Sequence, residues 1–485
     1  MRADTMVLSA WHAAPMSLTR LAEHVESAWH SDIPSALARY IAVPCVSPAF
    51  DPQWEGAGHM HQATELLADW ARVRVSGLPG ATVETLQLPG RTPVLVVDIP
   101  GDSPSKVLIY GHLDKQPPMD GWTKGRDAWT PSFEGDRLYG RGGADDGYAL
   151  FSAICALTAL HAQRGPVPGC TILIEASEES GSPDLPDYLA LLAPRLAAVS
   201  LVIALDGSCG TYDQLWLTTS LRGQVAGTLT VRTLASGVHS GDGSGVVPAS
   251  FRIARHLLSR IESPESGEVV PAFHVEIPAQ RQYEAVIASN ALDAGLHEAL
   301  PTIDGLLPVH ANPAELVLNR SWRPQLAVTG FDGLPAVADA APVMQPATRL
   351  KLSLRLPPSL DARAAARRLR SMLVDAPPYA SQVEFSVDMV SPGWNAPPTP
   401  TWLQDCLDRA SQRAFGKPSA AMGGGGGIPF LSMLGAQLPR AHFLVTGVLG
   451  PMSNAHGPNE FLHLPAARRL TLALALLLQD WASRR

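Results

Sequence analysis

The chain has 485 residues, of which 46% are hydrophobic and only 17% are charged. This composition excludes an intrinsically disordered chain, and the length suggests two or three domains of about 150 residues each. The formal net charge of −8 argues against nucleic acid or an anionic membrane as the main partner. We therefore expect a soluble, mildly acidic globular protein.

Cysteine content and apolar tracts bear on where the protein is found. Five cysteines without a C-x-x-C pair exclude a disulfide framework and a zinc-finger pattern. The first 15 residues mix charged and apolar residues and hold no continuous apolar stretch of the signal-peptide type. The most apolar tract, residues 470–478, is too short to span a bilayer. We predict a cytoplasmic protein.

Short apolar runs that end in polar residues dominate the first half of the chain and recur near its end. They are residues 107–110, 171–174, 201–205 and 442–445. Aliphatic runs without alternation are typical of strands buried on both faces. A helical apolar spacing over 148–161 separates the first two runs. This order predicts an α/β fold with a mostly parallel sheet, in which functional groups gather beyond the carboxyl ends of the strands.

A second region has a different pattern. Strands are predicted over 224–234, 349–356 and 382–390, and helices over 247–261 and 361–373. Residues 349–356 alternate strictly between polar and apolar, as a half-exposed strand does. We predict an inserted α+β (ferredoxin-like) domain over 217–390, between two parts of a larger domain, 1–216 and 391–485.

Imidazoles and carboxylates that could bind metal lie at the ends of these apolar runs or in the segments between and after them. They are His112, Asp114, Asp145, Asp146, Glu178, Glu179, Asp206 and His456. A mixed set of nitrogen and oxygen donors suits zinc, manganese or cobalt. The set is too rich for one tetrahedral ion and fits two metals that share a carboxylate.

Two details of this set suggest a division of roles. Asp114 lies two residues after His112 on the same strand face and is placed to accept the second ring N–H of the imidazole. The adjacent Glu178 and Glu179 cannot both point the same way in an extended backbone. One of them can then bind metal while the other acts as a general base.

These residues and their order resemble a known family, the M20 metallopeptidases. The similar stretches are YGHLD (110–114), YGRGGADDG (139–147), EASEESGS (175–182), LDG (205–207), HSG (239–241) and NAHGPNE (454–460). Residues 51–54 and 114–117 (DKQP) are more similar to the carnosinase-like dipeptidase branch than to the deacylase branch. The resemblance implies a two-metal hydrolase that cleaves the amide bond of dipeptides or small peptides. It implies two divalent ions per chain, zinc before manganese or cobalt.

The resemblance also implies a role for each matching residue of the metal centre. One ion would be held by His112 and Asp206, the other by Glu179 and His456, and both would share Asp145. Glu178 would be the general base that takes a proton from the metal-bridging water. Asp114 would orient His112.

For the inserted domain, the resemblance implies a lid that also forms a homodimer. His239 would cross the dimer interface and donate to the oxyanion in the partner's site. Arg355 matches the position that binds the substrate carboxylate, and an arginine fork can pair a carboxylate with two hydrogen bonds. Backbone N–H groups of Gly425, Gly426 and Gly427 would contact the small peptide substrate.

Two departures from the family pattern concern specificity. Gly147-Tyr148 replaces the lysine usual after the acidic pair, and a run of five glycines, 423–427, replaces a loop that is often Arg-Glu-Gly-Gly-Ser. An N-acyl amino acid deacylase is therefore kept as an alternative. A non-catalytic binding protein on the same scaffold would need a missing ligand or base, and none is missing.

Some of these residues also have simpler interpretations. His239 can be a turn histidine that caps its own loop, and Arg355 can be a solvent-facing strand residue. Glu460 is expected to brace the loop of His456, and Asp146 to have a structural role rather than to bind metal. Cys209 lies close to Asp206, but no basic neighbour in the sequence supports a thiolate.

Overall fold

The computed structural model describes residues 17–101, 105–164, 166–292 and 295–484. The first 15 residues, tested above for a signal peptide, lie outside this part of the chain. Two compact units are found: unit 1 lies within 1–215, 399–419 and 440–485, and unit 2 comprises 216–398 and 420–439. No described helix combines the length and the apolar content needed to cross a bilayer.

The α-helices of the described residues are numbered in chain order. They are α1 (Leu18–Ser31), α2 (Ile33–Ile41), α3 (Trp54–Ala57), α4 (His59–Val75), α5 (Tyr148–Ala162), α6 (Leu185–Leu196), α7 (Ser240–Gly243), α8 (Ser250–Leu258), α9 (Ala279–Ala291), α10 (Gly295–Glu298), α11 (Pro313–Ser321), α12 (Ala362–Val374), α13 (Thr401–Phe415), α14 (Pro429–Gln437) and α15 (Leu464–Ala482).

The strands are numbered in the same way. They are β1 (Thr82–Leu86), β2 (Val94–Ile99), β3 (Lys106–His112), β4 (Ser132–Glu134), β5 (Arg137–Tyr139), β6 (Gly169–Glu175), β7 (Val199–Ala204), β8 (Trp216–Leu221), β9 (Gly223–Arg232), β10 (Val238–His239), β11 (Gln325–Asp332), β12 (Val343–Met344), β13 (Ala347–Leu356), β14 (Gln382–Ser391), β15 (Trp394–Asn395), β16 (Ala420–Gly424), β17 (His442–Val445) and β18 (Phe461–His463).

Unit 1 is built on a six-stranded sheet of order β1-β2-β6-β3-β7-β17. The pairs β6–β3, β3–β7 and β7–β17 are parallel, so the predicted α/β class with a mostly parallel sheet is confirmed. The sequence analysis did not predict the two antiparallel strands on this side of the sheet, the edge strand β1 and its neighbour β2, although residues 94–97 of β2 form an unbroken aliphatic run. All seven residues of β6 are buried, as expected of a strand covered on both faces.

The strand order decides where the functional groups meet. β3 lies between β6 and β7, and His112 at its end pairs in register with Glu175 at the end of β6. Because the three strands are parallel, their carboxyl ends lie at one edge of the sheet. The segments that follow β3, β6 and β7 therefore start next to one another.

Unit 2 contains a four-stranded antiparallel sheet of order β11-β13-β9-β14. Helices α8 and α12 pack against it through a core that includes Ile253, Leu257, Leu369 and Leu373. With its helices after the first and third strands, this is the β-α-β-β-α-β arrangement of ferredoxin-like folds. A role for this unit as a lid or dimerisation domain stays a prediction.

Candidate metal centre

His112 ends β3 in a fully buried position, and its two ring nitrogens face different partners. Nδ1 lies 3.1 Å from the backbone oxygen of Asp114 and 3.4 Å from its Oδ1. Nε2 lies 3.3 Å from Asp145 Oδ1 and 3.9 Å from Asp206 Oδ1. Burial lowers the pKa of His112, but hydrogen bonds with Asp114 and Asp145 outweigh it and raise the pKa well above the usual value. A proton on Nδ1 would leave Nε2 free to bind a cation.

Asp145 lies in the buried turn Gly143–Gly147, which leads into α5. Its Oδ1 faces His112 Nε2 at 3.3 Å and its Oδ2 faces His456 Nε2 at 3.0 Å. Burial raises the pKa of Asp145, yet hydrogen bonds with the two imidazoles more than offset this and keep the carboxyl group ionised. One carboxylate thus lies between two imidazoles with one oxygen toward each, which is the arrangement expected of a ligand shared by two cations.

The acidic pair lies on a short 3₁₀ turn after β6 rather than on extended backbone. The backbone N–H groups of Glu178 and Glu179 each donate to the Asp114 carboxylate, at 3.0 Å. The side chain of Glu179 lies 3.3 Å from His456 Nε2, whereas Glu178 groups with His112 and Asp206. The two side chains therefore diverge, and Asp114 holds both this turn and the His112 ring.

The carboxylates of the centre raise one another's pKa values. Burial and then the charge of Asp206 raise the pKa of Glu178 well above its usual value, while the charge of His112 opposes the shift. Burial and then the charge of Asp145 raise the pKa of Glu179 to about 8. A divalent cation would stabilise these carboxylates in their ionised forms and displace their protons.

The donor atoms fit divalent cations. The ligand atoms of His112, Asp145 and Glu179 all lie within 4.8 Å of one another, and so do those of His112, Glu178 and Asp206. Imidazole nitrogens combined with carboxylate oxygens suit zinc, manganese and cobalt. The described residues thus contain two groups of candidate metal ligands that share His112.

His456 is carried by a loop between β17 and β18 that contains several left-handed residues. Met452, Asn454, His456 and Asn459 all have φ values between 54° and 64°. A left-handed conformation costs a non-glycine residue about 1 kcal/mol or more, so the loop must be held by its surroundings.

A buried ion pair supplies that support. Arg141 Nη1 donates to Glu460 Oε2 at 2.6 Å, and its Nη2 donates to the backbone oxygen of Gly457 at 3.0 Å. The other Glu460 oxygen accepts from the backbone N–H of Gly142 at 3.0 Å. Glu460 therefore braces the His456 loop, as predicted, and ties it to the segment that precedes Asp145.

Two further residues of the centre had no role in the sequence analysis. Gln116 Nε2 donates to Glu179 Oε2 at 2.6 Å. Glu175, at the end of β6, accepts hydrogen bonds from Tyr110, Ser177 and Ser182 at 2.5, 3.2 and 2.8 Å. Burial raises the pKa of Glu175 to about 7. Glu175 is the last residue of the apolar strand β6, and Gln116 lies shortly after β3. These positions at the ends of apolar strands are the signal that could have found them.

The predicted residues of unit 2 have other surroundings. The His239 side chain is 64% exposed, and its ring accepts a hydrogen bond from the backbone N–H of Gly241, so it caps its own turn. Its role in a partner's site stays a prediction. Arg355 lies half-buried on β13, and Gly425, Gly426 and Gly427 follow β16 directly.

The comparison with known proteins places this geometry in a family. The model of the M20/M25/M40 peptidase family matches residues 108–480, which span every residue of the centre. The chain belongs to this family. The predicted M20-type metallopeptidase is therefore confirmed.

Relatives and solved structures agree with this. The chain is 28% identical over 362 residues to a cysteinylglycine-S-conjugate dipeptidase of Corynebacterium striatum, covering 74% of this chain and 77% of that one. It is 24% identical over 381 residues to the human Beta-Ala-His dipeptidase, covering 76% and 73%. The crystal structure of human carnosine dipeptidase 1 has the same fold, with a TM-score of 0.77 at 20% identity, covering 97% of this chain and 100% of that one.

Proposed function

We propose that this M20-family protein is a cytoplasmic, homodimeric dipeptidase that uses two divalent cations, zinc by preference. The observation that carries the proposal is the Asp145 carboxylate between the rings of His112 and His456, with the half-buried Glu178 grouped with His112 and Asp206. The dipeptide substrate is inferred from the two relatives, both named dipeptidases, which match over about three quarters of their length.

Each side chain of the centre has a part in the proposed reaction. His112 and Asp206 would hold one cation, Glu179 and His456 the other, and Asp145 both. Bound there, the cations would polarise the scissile carbonyl and lower the pKa of water. Glu178 takes the proton of the attacking water on a carboxylate oxygen and gives it to the nitrogen of the leaving amine.

The residues of unit 2 would serve binding and charge stabilisation. Arg355 pairs with the substrate carboxylate, and the backbone N–H groups of Gly425, Gly426 and Gly427 lie along the substrate. His239 of one subunit donates to the oxyanion that forms in the other. The five cysteines are all unpaired and buried, which supports a reducing compartment.

The test is a hydrolysis screen by mass spectrometry on metal-loaded protein. Each substrate pair consists of a dipeptide with a free amine and its N-acetylated counterpart, and Glu178→Gln is the inactive control. We expect cleavage of the free dipeptides alone. Cleavage of the acetylated set alone would instead identify a deacylase. No cleavage of either set, with two ions bound, would contradict the proposal.

A further inference from the structure

Two arginines of unit 2, Arg222 and Arg320, lie against the glycine run. Arg222, just before β9, donates from Nε to the backbone oxygen of Gly425 at 3.2 Å. A Cβ atom on Gly425 would lie 3.4 Å from Arg222 Nη2 and 3.5 Å from the Cγ of Arg320, which is in α11. Gly425 therefore lies against the side chains of both arginines.

Arg355 completes the cluster. It lies on β13 opposite Gln224, two residues after Arg222 along β9. Burial, then the charges of Arg355 and Arg320, lower the pKa of Arg222 to about 10. Burial also lowers the pKa values of Arg320 and Arg355. Arg222 therefore lies close enough to Arg355 and to Arg320 for their positive charges to act on it in a partly desolvated place.

Among the described residues, none provides these arginines with the carboxylate partner that neighbouring arginines have. Arg323 pairs with Glu315 at 2.6 Å, and Arg281 pairs with Glu284 at 2.8 Å. Arg222 directs its donors to backbone oxygens. Within the described part of the chain, no carboxylate lies within 4.0 Å of Arg320 or Arg355. Partly buried positive charge without a partner is unfavourable, and an anionic ligand would remove that cost.

The glycine run has an opening at the same place. At Gly423 an added Cβ would lie 2.5 Å from Ser220 Oγ, so packing explains that glycine. At Gly426 no atom lies within 4 Å of an added Cβ, and its backbone is not left-handed. Neither packing nor backbone conformation requires glycine at 426. A glycine there leaves the backbone N–H groups open to close approach by a ligand.

We infer that Arg355 and Arg320, supported by Arg222 and the glycine run, bind two carboxylates of one substrate. The preferred substrate is then a dipeptide with an acidic C-terminal residue. Arg355 binds its main-chain carboxylate and Arg320 its side-chain carboxylate, each as a charge-assisted pair. This inference rests on the proposed dipeptidase function and specifies its substrate class.

The test compares kcat/KM for Ala-Glu and Ala-Gln, which have nearly the same shape and differ by one charge. We expect Ala-Glu to be favoured by about tenfold or more, since a hydrogen bond to a charged group contributes at least that much. Arg320→Gln should bring the ratio close to one, and Arg320→Lys should keep part of the preference. The control Arg370→Gln removes the same charge from the exposed face of α12 and should leave the ratio unchanged.

Two outcomes overturn the inference while the dipeptidase stands: equal kcat/KM for the two peptides, or a preference that survives Arg320→Gln. A binding measurement separates this from failure of the proposed function. Glutarate has two carboxylates at the spacing found in a glutamate residue, and glutaramate has one. Calorimetric titration should show glutarate binding about tenfold tighter, with the difference lost in Arg320→Gln. If neither peptide is cleaved, the dipeptidase proposal fails, and equal binding of the two probes would then refute the anion site as well.

Discussion

At the scale of single residues, Glu178 has a position that suits two roles. The residue is half-buried, and its carboxylate groups with His112 and Asp206 within ligand distance. This position fits either a general base or a metal ligand. Replacing the carboxylate with an uncharged amide distinguishes the two roles, because it removes turnover in the first case and a bound ion in the second.

We predict that Glu178→Gln keeps two ions per chain and lowers kcat by about 10²- to 10⁴-fold, because the amide cannot accept a proton. Elemental analysis of the purified variant and steady-state kinetics check this. Glu179→Gln is the comparison variant and should lose one ion. A Glu178→Gln protein with one ion per chain would show that Glu178 is a ligand instead.

The Asp114 carboxylate contacts three groups. It lies against the His112 ring and accepts hydrogen bonds from the backbone N–H groups of Glu178 and Glu179. Asp114→Asn would put an NH₂ group opposite one of these donors. We expect the affinity for metal to fall about 10- to 100-fold, as is usual when the partner of a ligand is lost. Competition with a chelator measures the affinity. Asp127→Asn, in an exposed turn, should have no effect.

At the scale of elements, the Arg141–Glu460 pair joins the turn of Asp145 to the loop of His456. Both side chains are almost fully buried, at 1% and 0% exposure. Removing one partner of such a pair leaves an uncompensated charge inside the protein.

We predict that Arg141→Met destabilises the protein by about 3–5 kcal/mol and releases first the ion bound through His456. Denaturant unfolding and metal stoichiometry are the measurements. Arg141→Met combined with Glu460→Gln should recover part of the stability, since the buried charge is then gone. Stability as low as in the single variant would mean that packing, rather than charge, is what Arg141 contributes.

Lys115 joins the end of α2 to the segment after β3. Its buried Nζ donates to the backbone oxygens of Tyr40, Ile41 and Val43 at 2.9, 3.1 and 2.7 Å. Burial lowers the pKa of Lys115 to about 8, the charge of Arg141 acts in the same direction, and Cys45 and Glu460 oppose it. An unfolded lysine has a pKa near 10.4.

At pH values between these two pKa values, Lys115 is protonated in the unfolded chain and neutral in the folded chain. Lys115 therefore makes the free energy of unfolding rise with pH. We expect the stability difference between the wild type and Lys115→Met to grow by about 2–3 kcal/mol from pH 7 to pH 10 in favour of the wild type. Urea unfolding at several pH values measures it. Lys124 is exposed, and the difference in stability between the wild type and Lys124→Met should stay the same at every pH. A constant difference for Lys115→Met as well would show that its pKa is not depressed.

At the scale of the whole molecule, the proposed dimer can be tested through His239. In one chain this residue is exposed and caps its own turn, so the proposed role in catalysis would depend on a second copy. Loss of that role should lower kcat more than it changes KM.

Mixing two inactive variants tests the role directly. Glu178→Gln lacks the base and His239→Ala lacks the donor, so a mixed dimer would contain one complete site. Unfolding and refolding the two together should restore about a quarter of wild-type activity, because half of the dimers are mixed and each has one working site. Sedimentation checks that dimers form. No recovery from dimeric protein would contradict a role of His239 in the partner's site.

Much of the fold follows from the linear order of residues. Unbroken aliphatic runs predicted β3, β6, β7 and β17, and the strict alternation over 349–356 predicted β13. These patterns are local, since a strand buried on both faces excludes polar side chains wherever its neighbours come from. The antiparallel strands β1 and β2 were not predicted. Residues 94–97 of β2 form a similar unbroken aliphatic run, whereas the edge strand β1 has no such run and forms by pairing with β2.

The same division applies to the metal centre. The donor types and their positions along the chain follow from the linear order of residues, because short motifs carry them. The tertiary structure decided which oxygen faces which nitrogen: Asp145 between two distant imidazoles, Gln116 on Glu179, and Arg141 on Glu460. Such pairs depend on strand register and loop conformation, which bring together residues that lie far apart in the chain. Because such contacts depend on the fold, only the folded chain shows that no carboxylate of the described residues pairs with Arg320 or Arg355.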